Sequence, residues 1–276
     1  MEDKIEMPPE KPPESAKTYF DLQADWGFTK HVGALQATQE LATECHVGPD
    51  SCVLVVGCGV GVTPCYLAKQ HGCRVVGVDL SQRMVDRSNE RAKKKGVQDL
   101  VEFRQADAQE LPFEDSLFDA VMCESVNAFI PDRRKAAREY VRVVKPGGYV
   151  GLNECVWVEP PLPGMADYMW RMMGAEFFPS HEGWKALLEE CGLSEVIERI
   201  HTVNVLGQWS DEVRQLGPRE IASAYLSFPL QSIRNPAGRR FMREALGVPR
   251  GLFRVFKYFG YGLYIGIKPG KPADVS

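Results

Sequence analysis

The sequence lacks the features of a membrane protein and of a nucleic-acid-binding protein. None of its apolar runs approaches the ~20 residues that a membrane-spanning helix needs, and no secretory signal pattern opens the chain. Basic residues are not in surplus, because 33 lysines and arginines stand against 37 aspartates and glutamates, a net charge of −4. A protein that neutralises phosphates needs a basic face. These absences predict a cytoplasmic protein with neither an integral membrane segment nor a nucleic-acid partner.

Cysteine occurs eight times but never in a spacing typical of metal sites. No Cys-x-x-Cys pair is present, and the cysteines from Cys45 to Cys73 follow one another six to eight positions apart. Cys52, Cys123 and Cys155 lie in or beside apolar runs, where a free cysteine behaves as a small hydrophobic residue. We therefore predict no metal site and a reducing compartment.

The sequence does contain a glycine-rich loop directly after an apolar run. The run 53–56 leads into Gly57-Cys-Gly-Val-Gly61, and Pro64 suits the first turn of a following helix. Glycines let a ligand lie against the backbone, and the helix N-terminus presents unpaired N–H groups. A dinucleotide fingerprint has the spacing G-x-G-x-x-G. The third glycine here comes one residue earlier, which disfavours a nicotinamide-dependent oxidoreductase.

Strand and helix patterns alternate after this loop. The predicted strands lie near 52–56, 74–79, 101–105, 118–123, 149–155, 195–205 and 262–267, and the predicted helices near 33–45, 63–71, 82–95, 133–144 and 181–190. Such alternation predicts an α/β fold with a doubly wound, mostly parallel sheet. Asp79, Asp107 and Glu124 follow or end the second, third and fourth strands. Open α/β sheets bind ligands at that edge.

Five motifs in this order make the chain resemble the class I S-adenosylmethionine-dependent methyltransferases. Within that class it is most similar to the small-molecule type 11 branch, which includes quinone, tocopherol, sterol and arsenite enzymes. The matching segments are Gly57–Gly61, Val78–Ser81 with Met84, Ala106–Ala108, Leu111–Phe113 with Phe118-Asp119, and Val144–Gly148. The resemblance implies a Rossmann-like, seven-stranded sheet with an antiparallel last strand. It also implies S-adenosylmethionine as cofactor and a small-molecule substrate.

The resemblance further implies which residues meet the methionine end of the cofactor. These would be the loop residues Gly57, Cys58, Gly59 and Gly61. The family usually has an acidic residue two positions before the first glycine, where it helps to hold the cofactor's amino group. This chain has Val55 there, and Glu124 is the candidate to take part of that role.

The adenosine end would be held by residues that follow the second and third strands. By the same resemblance, Asp79 would bind the ribose hydroxyls, and Leu80, in a motif shared with Met84, would pack on the adenine. Asp107 would accept a hydrogen bond from the adenine amino group, and the backbone N–H of Ala108 would face the ring edge. A carboxylate is suited to a diol because its two oxygens accept several hydrogen bonds.

Domain organisation follows from composition. Residues 1–16 carry four prolines among charged residues, which predicts a disordered N-terminal arm. Residues 17–276 would form one methyltransferase domain. About 50 residues between the sixth and seventh strands are too many for a plain loop, and we predict a helical cap insertion at about 208–258.

The acceptor pocket is predicted from apolar and aromatic residues alone. The segment 157–178 is rich in Met and aromatics and follows the fifth strand. With Tyr19, Trp170 and Tyr225 as pocket candidates, the sequence favours an apolar or aromatic acceptor. The alternative is that these side chains are core between cap and sheet.

Methyl transfer is an in-line displacement, in which alignment and exclusion of water do most of the work. The sequence therefore assigns no catalytic residue, and His31, His181 and Glu124 are candidates for a general base where the acceptor must lose a proton. A thiol or metalloid acceptor is one alternative, although Ser125 stands where arsenite relatives have a cysteine. A non-catalytic cofactor-binding protein is another, and no oligomeric state is implied.

Overall fold

The computed structural model describes residues 31–167, 180–203 and 255–270, together with the single positions Gln23, Leu226, Ile233, Pro236, Gly238, Arg239 and Arg243. Within these residues, no helix is both long and apolar enough to cross a membrane. The predicted arm at 1–16 and most of the predicted cap at 208–258 lie outside the described residues. At the single positions from Leu226 to Arg243 the backbone is helical, and the cap itself stays a prediction.

Seven strands and six α-helices are described, in an alternating order. The strands are β1 (Cys52–Val56), β2 (Arg74–Asp79), β3 (Val101–Gln105), β4 (Phe118–Glu124), β5 (Val144–Trp157), β6 (Ser194–Thr202) and β7 (Phe259–Ile267). The helices are α1 (Ala34–Glu44), α2 (Val62–His71), α3 (Gln82–Lys95), α4 (Arg133–Val143), α5 (Glu182–Glu190) and α6 (Val255–Tyr258). A short 3₁₀ turn, Asn127–Phe129, follows β4.

The strands form one sheet in the order β3-β2-β1-β4-β5-β7-β6. Neighbours from β3 to β5 are parallel, and β7 is antiparallel to both β5 and β6. This confirms the predicted α/β class and the antiparallel last strand. The sheet order reverses between β1 and β4, and such a switch point is where open α/β sheets bind ligands.

Helices cover both faces of the sheet because successive side chains of a strand point to opposite sides. In β1, Val53 and Val55 pack with the apolar residues of α1, α2 and α3. Leu54 and Val56 pack on the other face with residues of α4 and α5, including the fully buried Tyr140. A continuous apolar run is therefore required in β1, as the sequence shows.

Two helix ends carry capping residues of the types that favour those positions. The Asp132 side chain accepts a hydrogen bond from Lys135 N (2.8 Å) and so caps the N-terminus of α4. Gly96 ends α3 in the left-handed region with φ +70°.

Three strand boundaries differ from the prediction by three residues or more. β5 begins at Val144, which pairs with Phe118 before a register shift over residues 145–148, and the regular register resumes at Tyr149. β6 ends earlier, at Thr202. β7 begins at Phe259, because that residue pairs with Trp157 and prolongs the ladder with β5.

Candidate functional site

The predicted ligand edge gathers the glycine loop and the acidic residues at one end of the sheet. Gly57 directly follows β1, Asp79 and Glu124 are the last residues of β2 and β4, and Asp107 follows β3. Parallel strands in adjacent register bring these positions to the same edge. The structure thus assembles the polar groups that the sequence separates by almost 70 positions.

Backbone conformation explains the glycine at position 57. Gly57 has φ +66°, and a Cβ built there would lie 2.3 Å from Val126 Cγ2. Any side chain would meet both backbone strain and a clash with the segment after β4. The loop is therefore closed against the segment after β4 at this position, and Gly57 stays partly exposed.

Helix α3 holds the glycine loop from behind. The buried Ser88 hydroxyl donates to Gly59 O (2.9 Å), and Arg91 Nε donates to Val60 O (2.8 Å). Met84 is buried and packs with Val60. Its predicted contact with the cofactor stays a prediction, and in this structure its side chain supports the loop.

Cys58 is the second residue of the glycine loop. Its side chain is buried, and its backbone N–H donates to Val78 O (2.9 Å). Burial, and next the nearby Asp79 carboxyl, keep the pKa of the Cys58 thiol well above its ordinary value. Its predicted contact with a cofactor stays a prediction, and it would have to involve backbone atoms.

Asp79 joins the glycine loop to the end of β2. Its Oδ2 accepts from Gly59 N (2.9 Å), and its Oδ1 accepts from Ser81 N (3.0 Å). Burial raises the pKa of the Asp79 carboxyl, and these two N–H groups act in the opposite direction. Each carboxylate oxygen accepts more than one hydrogen bond, so capacity remains for a diol. The next residue, Leu80, is 70% exposed and offers a flat apolar ligand a surface at this edge.

Asp107 lies in an exposed turn that it stabilises itself. Its Oδ1 accepts from Gln109 N (2.8 Å), and the Gln109 side-chain amide donates to both carboxylate oxygens (3.1 and 3.2 Å). Ala108 is partly buried beside it. The predicted adenine contacts of Asp107 and Ala108 stay predictions, and the local bonds show a structural role for the Asp107 carboxylate as well.

Glu124 is buried and connects two helices to the end of β4. Thr63 Oγ1 of α2 donates to Glu124 Oε2 (2.6 Å), and Thr38 Oγ1 of α1 donates to Oε1 (2.9 Å). Val55 is buried in the core of the same face. Among the described residues, the carboxylate at this point of the sheet edge is thus supplied by β4. This strand lies next to β1, which contains Val55.

The two histidine candidates lie on opposite faces of the sheet. His31 Nδ1 is 3.6 Å from Glu124 Oε1, on the α1 face. His181 precedes α5 on the other face, where its Nδ1 is 2.9 Å from Glu198 Oε1 of β6. Of these two, only His31 is placed with Glu124.

Sequence reasoning missed four residues that shape the segment after β4: Ser125, Asn127, Asn153 and Glu154. Asn153 and Glu154 are fully buried in β5. The signal was available, because two adjacent polar residues interrupt an otherwise apolar strand. Tyr19, Trp170 and Tyr225, the pocket candidates, lie outside the described residues.

Comparison with known proteins identifies the family. The family described as "Methyltransferase domain" matches residues 54–152, a range that runs from β1 through the glycine loop and the acidic strand ends into β5. The 2-methyl-6-phytyl-1,4-hydroquinone methyltransferase of Synechocystis sp. is 32% identical over 226 residues, covering 76% of this chain and 68% of that protein. The chain belongs to the small-molecule S-adenosylmethionine-dependent methyltransferases.

Other methyltransferases are similar over shorter lengths or in fold alone. The sarcosine/dimethylglycine N-methyltransferase of Halorhodospira halochloris is 29% identical over 174 residues, and the chain spans 62% of its length. A methyltransferase of Geobacter sulfurreducens, solved with S-adenosylhomocysteine, has a TM-score of 0.66 at 19% identity, with 92% of this chain and 99% of that one covered. Methyltransferases of this family use S-adenosylmethionine as the methyl donor.

Proposed function

We propose that this methyltransferase transfers a methyl group from S-adenosylmethionine to a small apolar or aromatic acceptor by in-line displacement. The observation that carries the proposal is an apolar cluster at the ligand edge. Cys155, Trp157, Met165 and Phe259 pack together there, and the Trp157 and Phe259 ring centroids are 6.2 Å apart. Because β5 is parallel to β4 and extends past it, this cluster lies beyond Glu124 on the acceptor side.

The residues of the edge fit the cofactor part by part. Asp79 would bind the ribose hydroxyls, Leu80 would pack on the adenine, and the turn of Asp107 and Ala108 would face the adenine amino group and ring edge. The partly exposed backbone of Gly57 would face the methionine part. When bound, the cofactor supplies a methyl group activated by its sulfonium.

Glu124 would provide the negative charge that Val55 lacks. Its carboxylate is fixed by two threonine hydroxyls, which keep it in one orientation beside the N-terminus of α2. A positively charged amino group would form a charge-assisted hydrogen bond there. This role depends on the charge, so Glu124→Gln should weaken cofactor binding more than Val55→Ala does.

His31 is the better-placed candidate for accepting a proton from a hydroxyl acceptor. Its Nδ1 is 3.6 Å from Glu124 Oε1 and 3.4 Å from Asn153 Nδ2, and its Nε2 is 3.3 Å from Thr38 Oγ1. A nearby carboxylate stabilises the imidazolium that forms when a base takes a proton. His181 is engaged with Glu198 on the opposite face and serves no proton transfer in this proposal.

The burial and protonation of the cysteine thiols disfavour a metalloid acceptor. Burial raises the pKa of the thiols of Cys45, Cys58, Cys123 and Cys155. The thiolate is the metal ligand, so these four remain protonated and inert. Among the described residues, no group of three His, Cys, Asp or Glu side chains is arranged to hold a metal ion.

The experiment is a measurement of S-adenosylhomocysteine release with a defined set of acceptors. We expect turnover with a prenylated hydroquinone and other phenols, and none with sarcosine or arsenite. Turnover with sarcosine alone would contradict the apolar acceptor. Asp79→Ala should lower release with every acceptor at subsaturating cofactor, whereas His31→Gln should lower kcat for phenols and leave cofactor affinity unchanged.

A further inference from the structure

The chain makes a strained corner directly after β4. Ser125 has φ +56°, in the left-handed region that residues other than glycine rarely occupy. Its N–H donates to Asn153 O (2.6 Å), and its hydroxyl accepts from Val32 N (3.2 Å). The Asn153 side chain also donates to Val32 O (2.8 Å). A strained residue persists only where its surroundings hold it on several sides.

Glu154, the next residue of β5, holds the following part of the corner. Its Oε1 accepts three hydrogen bonds, from Val126 N (3.1 Å), Asn127 N (2.8 Å) and Asn127 Nδ2 (2.9 Å). Its Oε2 is buried and has no hydrogen-bond partner among the residues that the structure describes. An uncompensated buried carboxylate oxygen is unfavourable for folding, so apolar packing does not account for this residue.

The corner is in contact with the glycine loop. The Val126 side chain fills the space that a Cβ on Gly57 would need, at 2.3 Å. On its other side the corner continues from Glu124, the carboxylate assigned to the cofactor's amino group. Any shift of Val126 and Asn127 therefore moves both walls of the methionine end.

We propose that Glu154 is a positioning residue, which holds the corner after β4 through its carboxylate and thereby shapes the methionine end of the cofactor site. This inference rests on the proposed placement of the cofactor. Glu154 itself touches neither cofactor nor acceptor in the proposal. It acts through the two backbone N–H groups of Val126 and Asn127.

The charge of Glu154 changes near neutral pH. Burial raises its pKa to about 7, against the opposing effect of the three N–H donors and of Arg133. The other titratable groups that face it are Cys123 of β4, Tyr140 of α4, Cys155 of β5 and Tyr264 of β7. The pKa values of all four are raised, so they stay neutral. Hydrogen bonds to a carboxylate are about twice as strong as bonds to its neutral form, so the corner tightens above pH 7.

The experiment is calorimetric titration with S-adenosylhomocysteine from pH 5.5 to 8.5. We expect the affinity of the wild-type protein to rise about tenfold across pH 7. Glu154→Gln keeps an oxygen that accepts hydrogen bonds but no charge, and should stay at the low-pH affinity throughout. The matched control is Asp119→Asn at the opposite end of β4, where the carboxylate also accepts a backbone N–H, from Cys52 (2.8 Å). It should follow the wild type.

Equal affinities of Glu154→Gln and wild type at pH 8 would overturn the inference. So would an equal loss in Asp119→Asn, because any softening of β4 would then explain the result. If the wild type does not bind S-adenosylhomocysteine, the proposed function fails and amide exchange decides the inference. Corrected for intrinsic exchange, protection of the Val126 and Asn127 amides should rise across pH 7, and constant protection would refute the role of Glu154. This second measurement needs no variant.

Discussion

Two corners border the candidate site, and each holds one residue in the left-handed backbone region by a different means. The corner after β1 places Gly57 at φ +66° and the corner after β4 places Ser125 at φ +56°. In the first, the residue type permits the conformation because glycine has no Cβ. In the second, a hydrogen bond donated by Val32 N and bonds accepted by Asn153 O and Glu154 Oε1 impose the conformation on a serine and the residues after it.

The difference shows where each corner is encoded. The conformation of the glycine corner is determined by its own residues, so it can be recognised in a short segment of sequence. The conformation of the serine corner depends on residues of β5, almost 30 positions further along the chain. It therefore exists only once β4 and β5 have paired, and it can respond to the charge of a distant side chain.

The largest effect is expected from giving the glycine corner a side chain. Gly57→Ala combines left-handed strain with the clash against Val126, so we expect unfolding free energy to fall by about 2–4 kcal/mol. Affinity for S-adenosylhomocysteine should fall at least about 100-fold. Gly72→Ala is the matched control, because Gly72 has φ +71° with open space around it. It should lower stability by about 1 kcal/mol and leave affinity intact. Adding Val126→Ala to Gly57→Ala should restore part of the stability, and no restoration would contradict the clash.

The next effect separates stability from function at the serine corner. The pKa of Glu154 rises from 4.5 to about 7 on folding, so the folded state holds the proton more tightly and loses stability as pH rises from 4.5 to 7. Glu154→Gln has no titrating group at this position, so its stability does not fall over this pH range. It should be more stable than wild type at pH 8 by about 3 kcal/mol, with little difference at pH 4.5. Urea unfolding at both pH values measures it. Asp119→Asn should change in the opposite direction at pH 8, because the Lys145 ammonium holds the pKa of Asp119 below its usual range. A less stable Glu154→Gln at pH 8 would show that the carboxylate is needed for folding.

A smaller effect tests Asp79, one of the side chains that hold the glycine corner. Asp79→Ala removes the acceptor for Gly59 N and the proposed ribose contacts, so affinity for both S-adenosylmethionine and S-adenosylhomocysteine should fall at least about tenfold. Asp79→Asn retains one oxygen and should lose less. Unchanged affinity in the alanine variant would remove Asp79 from the site.

The smallest effect measures the strain at the serine corner itself. Ser125→Gly and Ser125→Ala both lose the hydroxyl that accepts from Val32 N, so they differ chiefly in the cost of the left-handed conformation. The alanine variant should be less stable than the glycine variant by about 1 kcal/mol in urea unfolding. Equal stabilities would mean that the corner relaxes when the hydroxyl is lost.

Much of the fold was predictable because it depends on short-range patterns. The apolar run 53–56 and its neighbours specify buried parallel strands, and Asp132 and Gly96 mark helix ends by local hydrogen bonding and by φ. The acidic residues at the ends of β2, β3 and β4 were predicted to converge, since parallel strands end at one edge. The start of β5 was misplaced because residues 145–148, which have the composition of a turn, form a register shift within the strand.

The rest depends on pairings that no short segment contains. His31 and His181 had equal standing in the sequence, and only the crossover of the chain places them on opposite faces. Glu154 became visible as a site residue only through the register of β5 against β4, although the pair Asn153-Glu154 in an apolar strand indicated something unusual. Ser125 has no sequence signature for a left-handed corner.

The position of β7 has a consequence for synthesis on the ribosome. Residues 259–267 lie between β5 and β6 in the sheet, so these two strands have no partner on their facing sides until the final strand of the sheet leaves the exit tunnel. Exposed strand edges favour wrong pairing between chains, and the nascent chain carries one such edge on β5 throughout the translation of some 100 residues. A nascent chain stalled before residue 259 should therefore be protected by chaperones that cover extended segments, and release from them should coincide with the arrival of β7.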